Sequence, residues 1–255
     1  MLCKLSCFMG GWLAMACLTG PGAGVISGAE ANRAELEGQS LALELCQQQP
    51  SEPLQTKATL KIRDENGGSR TVPVKFQTRI EAPSWQAYYE AVQVVEGSLQ
   101  RLQIHHQTHG ANEYFWAEGT QNQAPRSTNR ISGDAIFTPF GATDFWVADL
   151  GLEFFHWPYQ SLRQKEMRVI RFCLVLESRP AVVSQAGYSR VVSWIDQETR
   201  NPLRAEAYGP DGQLMKVFTI GHLKRINGRL QLKEMDIRNL KTGSRTRLEF
   251  DLKVD

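Results

Sequence analysis

Residues 244–254 read Ser-Arg-Thr-Arg-Leu-Glu-Phe-Asp-Leu-Lys-Val, an alternation of polar and apolar side chains that runs through the whole stretch. One set of alternate positions is apolar apart from a threonine and consists of Thr246, Leu248, Phe250, Leu252 and Val254. Successive side chains of a strand point to opposite faces of a sheet. The stretch therefore predicts a β-strand with one buried face and one solvated face.

The same period of two recurs along most of the chain, in runs of strand length separated by turn sequences. Further strands are predicted at residues 54–63, 72–76, 85–95, 99–108, 112–118, 188–196, 203–208, 214–225 and 230–239. The separators contain turn-forming pairs such as Asp211-Gly212 and Asn227-Gly228. About ten strands joined by short loops predict a mainly β fold with a few helices, built on a curved antiparallel sheet or barrel.

Helical spacing appears in two places. Residues 35–48 carry leucines at helical intervals and predict an amphipathic helix. Residues 145–157 predict a second helix, because Thr143 or Asp144 can cap its start and Pro158 ends it. This second helix is apolar on most sides, so it must be buried on more than one side.

The aromatic segment around the second helix contains the candidate contacts for a ligand. One interpretation is a core helix that plugs the end of the barrel. The other is a lid or lining over an apolar cavity, which a curved sheet cannot fill with its own side chains. The candidate residues of the segment are Phe137, Phe140, Phe145, Trp146, Leu150, Leu152, Phe155 and Trp157.

The first 29 residues have the composition of a secretory signal peptide. A short basic start precedes an apolar run over residues 5–18 and a stretch rich in Gly and Ala. About 14 apolar residues are too few to cross roughly 30 Å of hydrocarbon. We therefore expect residues 1–29 to be a cleaved export signal and residues 30–255 to form one domain. A lipid anchor on Cys17, which ends the apolar run, is the alternative.

Charge and motifs argue against several classes of function. The chain has 29 Lys and Arg against 27 Asp and Glu, a net charge of +2, which is not the basic footprint of a nucleic-acid-binding protein. His105 and His106 point to opposite faces of a strand, so they do not readily share a metal ion. Phosphate-loop and Gly-x-Ser-x-Gly motifs are absent from the sequence. We expect no metal, no cofactor and no enzymatic activity. Cys46 and Cys173 are compatible with either free thiols or a disulfide.

Residues 188–199, YSRVVSWIDQET, and residues 202–208, PLRAEAY, resemble the outer membrane lipoprotein-sorting protein family, the relatives of the periplasmic carrier LolA. The resemblance extends over about residues 36–252. It implies an unclosed antiparallel β-barrel, a LolA-like half-barrel, with helices that cover its concave face. It also implies an apolar cavity between them that receives acyl chains. The aromatic candidates then become lipid-binding residues, and Arg63 and Arg79, on early strands, become the candidates for a functional arginine.

The expected function is that of a periplasmic lipid-binding chaperone in outer membrane biogenesis. Such a carrier binds the acyl chains of lipoproteins or lipids as a monomer and transports them to the outer membrane. Its partners are then an inner-membrane exporter and an outer-membrane acceptor. The alternative is a non-carrying structural or adaptor subunit of an envelope lipid-export complex, in which the aromatic segment is a solid core plug.

Overall fold

The computed structural model describes residues 28–93, 97–120, 123, 127–168, 171–226 and 229–252. Its strands are β1 (Gln55–Arg63), β2 (Ser69–Glu81), β3 (Ser84–Gln93), β4 (Ser98–His106), β5 (Glu113–Thr120), β6 (Asn129–Ile131), β7 (Tyr159–Arg168), β8 (Arg171–Arg179), β9 (Arg190–Asp196), β10 (Pro202–Tyr208), β11 (Leu214–Ile226), β12 (Arg229–Asn239) and β13 (Arg245–Phe250). The predicted export signal lies outside the described residues except for its last two positions, and so does Cys17.

All these strands belong to one 13-stranded sheet in the order β6-β5-β4-β3-β2-β1-β13-β12-β11-β10-β9-β8-β7. Neighbours in the sheet are antiparallel throughout. In the described part of the chain, the two end strands of this order, β6 and β7, do not pair with each other. The prediction of an unclosed antiparallel β-barrel is therefore confirmed.

The strand that carries the clearest alternation, β13, lies at the centre of the sheet between β1 and β12. Its inward set is buried as predicted, from 0% exposure at Thr246 to 7% at Phe250. Leu248 is in register with Leu60 of β1. Apolar side chains of this kind form the main core on the concave face of the sheet.

The first helix, α1 (Gly28–Cys46), begins seven residues before the predicted start at residue 35. The sequence pattern missed its first two turns because they bury nothing, whereas Gly38, Leu41 and Leu45 pack inward. The helix lies against β7, and a Cβ atom at Gly38 would be only 2.7 Å from the Ser161 backbone. None of the helices in the described part of the chain has the length and apolarity to cross a bilayer.

Three strands were not predicted, namely β6, β7 and β8. Residues 173–178 of β8 are buried on both faces, and the apolar run 173–176 within them shows no alternation of polar and apolar residues. On one face, Leu174 and Leu176 of β8 belong to the apolar cluster under α1. On the other face, Cys173 and Val175 pack against Trp194. The edge strand β7 is mostly polar, and β6 has only three residues.

The prediction of one continuous helix over residues 145–157 was wrong. A helix of four residues, α2 (Val147–Leu150), is followed by Leu152 in the left-handed conformation, with φ of 51°, and then by a 3₁₀ turn at Glu153–His156. A continuous α-helix cannot contain that backbone angle. The predicted cap Asp144 does not cap this helix, because its carboxylate accepts hydrogen bonds from β13; Asp149 bonds the Trp146 amide instead.

Candidate functional site

Residues 133–158, which we call the cover segment, lie over the concave face of the sheet and contain eight of the nine predicted site residues. Phe140 and Phe145 are each 1% exposed, and they pack with Leu150 into the main core. The predicted residues Phe137, Trp146, Phe155 and Trp157 pack into or against the neighbouring apolar cluster under α1. Arg63, by contrast, is exposed at the end of β1, and neither apolar cluster contains it.

Side chains rather than strand pairing attach the cover segment to the sheet. The Gly141 amide donates to Oε1 of Gln100 at 2.8 Å. The Asp144 carboxylate accepts hydrogen bonds from the Thr246 hydroxyl at 2.7 Å and the Ser244 hydroxyl at 2.6 Å. In the described residues, the strand-like bridge of this segment joins Pro139 to Trp146, within the segment itself. Among the described residues, the attachment of the segment to the sheet therefore involves no β-ladder.

A buried ion pair lies at the centre of this contact. Lys216 of β11 is 1% exposed, and its Nζ donates to the Asp144 carbonyl at 2.7 Å and to the Asp149 carboxylate at 3.3 Å. The same ammonium group lies 3.4 Å from the centroid of the Trp146 ring. The Tyr188 hydroxyl donates to the second oxygen of Asp149 at 2.8 Å. Every polar atom of the Asp149 carboxylate therefore has a partner.

Burial disfavours the charges of this network. Removal from water raises the pKa of Asp149 and lowers the pKa of Lys216, although each ion partly offsets the effect on the other. Burial also raises the pKa of Tyr188. Sequence reasoning did not identify Lys216 or Asp149. The sequence did contain one indication of the buried lysine. Lys216 lies two positions before Phe218 in β11, so both side chains point to the face of the strand that packs on the core.

A second buried acid, Glu153, lies at the end of the cover segment. Its Oε2 accepts a hydrogen bond from the Tyr114 hydroxyl at 2.8 Å, and Asn112 donates to the adjacent Gly151 carbonyl at 2.8 Å. Burial raises the pKa of Glu153 to about 7. This carboxyl group can therefore change its charge near neutral pH while it remains inside the protein.

A small cavity of about 290 Å³ opens between the end of α1 and the cover segment. It brings together three predicted residues, Leu150, Leu152 and Phe155. His106 and Trp85 line the opposite wall and stack with their ring centroids 3.7 Å apart. Burial lowers the pKa of His106 to about 3, so its ring is neutral and the wall carries no charge there.

His106 is half-buried against Trp85, whereas His105 faces outward beside Phe115. Among the residues that the structure describes, no group of three or more His, Cys, Asp or Glu side chains is arranged to hold a metal ion.

Cys46 and Cys173 are free thiols. Burial raises the pKa of Cys46 to about 12, which makes its thiol a poor nucleophile.

Solved structures share the whole architecture. A DUF1329 family protein from Desulfovibrio piger superimposes with a TM-score of 0.69 at 19% identity, over 87% of this chain and 95% of that chain. An outer membrane lipoprotein-sorting protein domain from Vibrio parahaemolyticus has a TM-score of 0.69 at 20% identity, over 85% and 91%. A LolA superfamily protein from Nitrosomonas europaea has a TM-score of 0.61 at 15% identity, over 87% and 94%. The resemblance to LolA-like sorting domains therefore holds for the fold.

Sequence comparison identifies one family. No curated protein matches the chain. A family model matches residues 100–254, more than half of the chain, and its description reads "-like: Uncharacterized protein". The matched region contains the cover segment, both partners of the buried ion pair and the central strand β13. The chain belongs to this uncharacterized family, and it has the fold of a LolA-like half-barrel.

Proposed function

We propose that this protein binds acyl chains of lipids or lipoproteins between the concave face of the sheet and the cover segment, and carries them across the periplasm to the outer membrane. The observation that supports the proposal is the apolar concave face of an unclosed sheet, covered by a segment that makes no backbone pairing to the described parts of the strands. Such a cover can move away as a unit and expose a wide apolar surface.

The energetics of acyl-chain burial agree with a movable cover. In this proposal the small cavity of about 290 Å³, beside the 40% exposed Leu152, is the entry point for the ligand. A whole acyl chain needs more room than this cavity provides. Each buried methylene contributes about 0.8 kcal/mol, so a chain of a dozen methylenes contributes roughly 10 kcal/mol. That gain is comparable to the whole stability of a typical domain, about 5–15 kcal/mol. Acyl chains can therefore offset the cost of displacing the cover segment.

The export signal expected at residues 1–29 supports a periplasmic location for this activity. An inner-membrane exporter as donor and an outer-membrane acceptor are the partners that such a carrier requires. An anchor on Cys17 is the alternative to a freely diffusing form, and it would confine the protein to a membrane surface.

Leu152 provides the sharpest test, because it lines the entry cavity and is already partly exposed. We expect Leu152→Ser to weaken the binding of a fluorescent acyl probe by about tenfold, since it removes a large apolar contact. The stability in urea should change little. Leu43→Ser is the matched control, because Leu43 is 43% exposed on α1 and lies outside the cavity. Equal affinities in the two variants and the wild type would count against the proposed site.

The close packing of Phe140 and Phe145 favours a second candidate, a structural or adaptor subunit in which the cover segment is a permanent plug. Trp146→Ser separates the two functions. For a carrier, the variant loses acyl-probe binding with a modest change in stability. For an adaptor, acyl probes do not bind to the wild type, and the variant loses several kcal/mol of stability, about 3–5 kcal/mol.

A further inference from the structure

A second, larger cavity of about 1180 Å³ lies on the face of β1–β5 that points away from the core. Two rows of outward side chains cross the strands along it. One row consists of Lys57, Lys75, Glu90 and Arg101. The other consists of Gln55, Gln77, Tyr88, Gln103 and Phe115. We call the space between the two rows the outer groove.

The strand backbones form the floor of the outer groove. Phe76, Tyr89 and Leu102 lie between the two rows and send their side chains into the core on the other face. Five strands about 4.8 Å apart give the groove a length of about 19 Å. Its shape therefore fits an extended chain that lies across the strands.

The charges of the outer groove cancel. Its lining contains three cationic side chains, Lys57, Lys75 and Arg101, and three anionic ones, Glu52, Glu90 and Asp251. Glu90 pairs with both Lys75 and Arg101 at 2.8 Å. A polyanion gains affinity by neutralising its charge on a basic surface, and this groove does not supply one.

The second row provides hydrogen-bonding groups and flat apolar faces. In the described part of the chain, the side-chain amides of Gln55 and Gln77 make no hydrogen bond, so they are available to a ligand as donors and acceptors. Tyr88 and Phe115 are half-buried, on strands two spacings apart, about 9.6 Å. The Arg79 guanidinium lies 5.0 Å from the centroid of the Tyr88 ring and covers one of its faces. The other face of Tyr88 and the Phe115 ring can each stack on a different unit of a repeating ligand.

We propose that the outer groove binds a linear, uncharged oligosaccharide, whose hydroxyl groups bond the side-chain amides of Gln55 and Gln77 and whose sugar rings stack on Tyr88 and Phe115. An acyl chain is a poor fit, because both walls are polar and would lose their hydration. An extended peptide gains its main-chain hydrogen bonds at a sheet edge, whereas the groove crosses β1–β4, which are paired on both sides. The binding site is separate from the acyl site, on the opposite face of the same strands.

The test is titration calorimetry of the full chain with three linear hexasaccharides, of β-1,4-linked glucose, β-1,4-linked N-acetylglucosamine and α-1,4-linked glucose. We expect at least one of them to bind. Gln77→Ala and Phe115→Ala should each weaken that binding by about fivefold or more. Phe172→Ala is the matched control, because Phe172 is 61% exposed on β8 and lies outside the groove. This variant should bind the hexasaccharide with the affinity of the wild type.

Uptake of a fluorescent acyl probe by the same variants separates this proposal from the acyl-carrier function, because groove variants should bind the probe as the wild type does. The proposal is overturned if none of the three hexasaccharides binds at millimolar concentration. It is also overturned if Gln77→Ala and Phe115→Ala bind as tightly as Phe172→Ala. Competition of an acyl probe or an extended peptide with the bound sugar would likewise assign the groove to a different ligand.

Discussion

The ion pair of Lys216 and Asp149 joins the cover segment to the sheet inside the apolar core. Two opposite charges out of water gain little net stability, but removing one of them leaves the other uncompensated. The pair therefore holds the segment in one position while adding less stability than apolar packing would. Such an attachment suits a cover that must have a defined closed state and still open.

Replacing Lys216 should be costly. We expect Lys216→Met to lower the free energy of unfolding by about 3 kcal/mol, because the Asp149 carboxylate loses its buried counter-ion. Equilibrium unfolding in urea measures this change. Lys241→Met is the control, since Lys241 is exposed in a turn, and its effect should stay below about 0.5 kcal/mol. Equal effects of the two substitutions would contradict the assigned network.

Glu153 should make stability depend on pH in a defined window. Its folded pKa of about 7 lies above the usual value of 4.5, so in this interval the folded protein binds a proton that the unfolded chain has lost. The contribution of Glu153 to stability should then be complete below pH 4.5 and be lost as the pH rises through 7, by about 3 kcal/mol in total. Glu153→Gln should remove this contribution, whereas Glu65→Gln in an exposed turn should leave it intact. Parallel stability profiles for the wild type and Glu153→Gln would show that this carboxyl does not titrate as described.

At the scale of elements, α1 depends on one close approach to the sheet. Alanine normally stabilises a helix relative to glycine by about 1 kcal/mol. At Gly38 we expect the opposite, a loss of about 1–3 kcal/mol in Gly38→Ala, because the added methyl group meets the Ser161 backbone at 2.7 Å. Gln39→Ala, at the neighbouring exposed position of the same helix, should be neutral or slightly stabilising. Thermal unfolding of both variants measures the difference.

The strands that the sequence pattern predicted correctly are those with one solvent-exposed face. Strand β13 and the hairpin of β1 and β2 show their alternation because each has a solvated side. Strand β8 is buried on both sides and therefore lacks the pattern. The break at Leu152 has no signal in composition, since its left-handed backbone occurs at a leucine rather than a glycine. The segment predicted to contain the candidate site lies over the concave face, but the lysine of its buried ion pair, Lys216, comes from β11, which is distant in sequence.

At the scale of the whole molecule, the chain is a half-barrel with two differently built faces. The concave face is apolar and lies under the cover segment, and the outward face of β1–β5 carries a polar groove. An open sheet makes this arrangement possible, because it does not have to fill its concave side with its own side chains. We therefore propose acyl chains as the ligand of the concave face and a neutral glycan as the ligand of the outward face.

The most direct test of the central claim is lipid extraction and mass spectrometry of the wild-type protein purified from its native host. We expect acyl lipids or lipidated peptides at a near-stoichiometric ratio, and the lipid-free protein should take up a fluorescent acyl probe. A protein that purifies without lipid and takes up no acyl probe would contradict the claim, and the cover segment would then be a permanent part of the core.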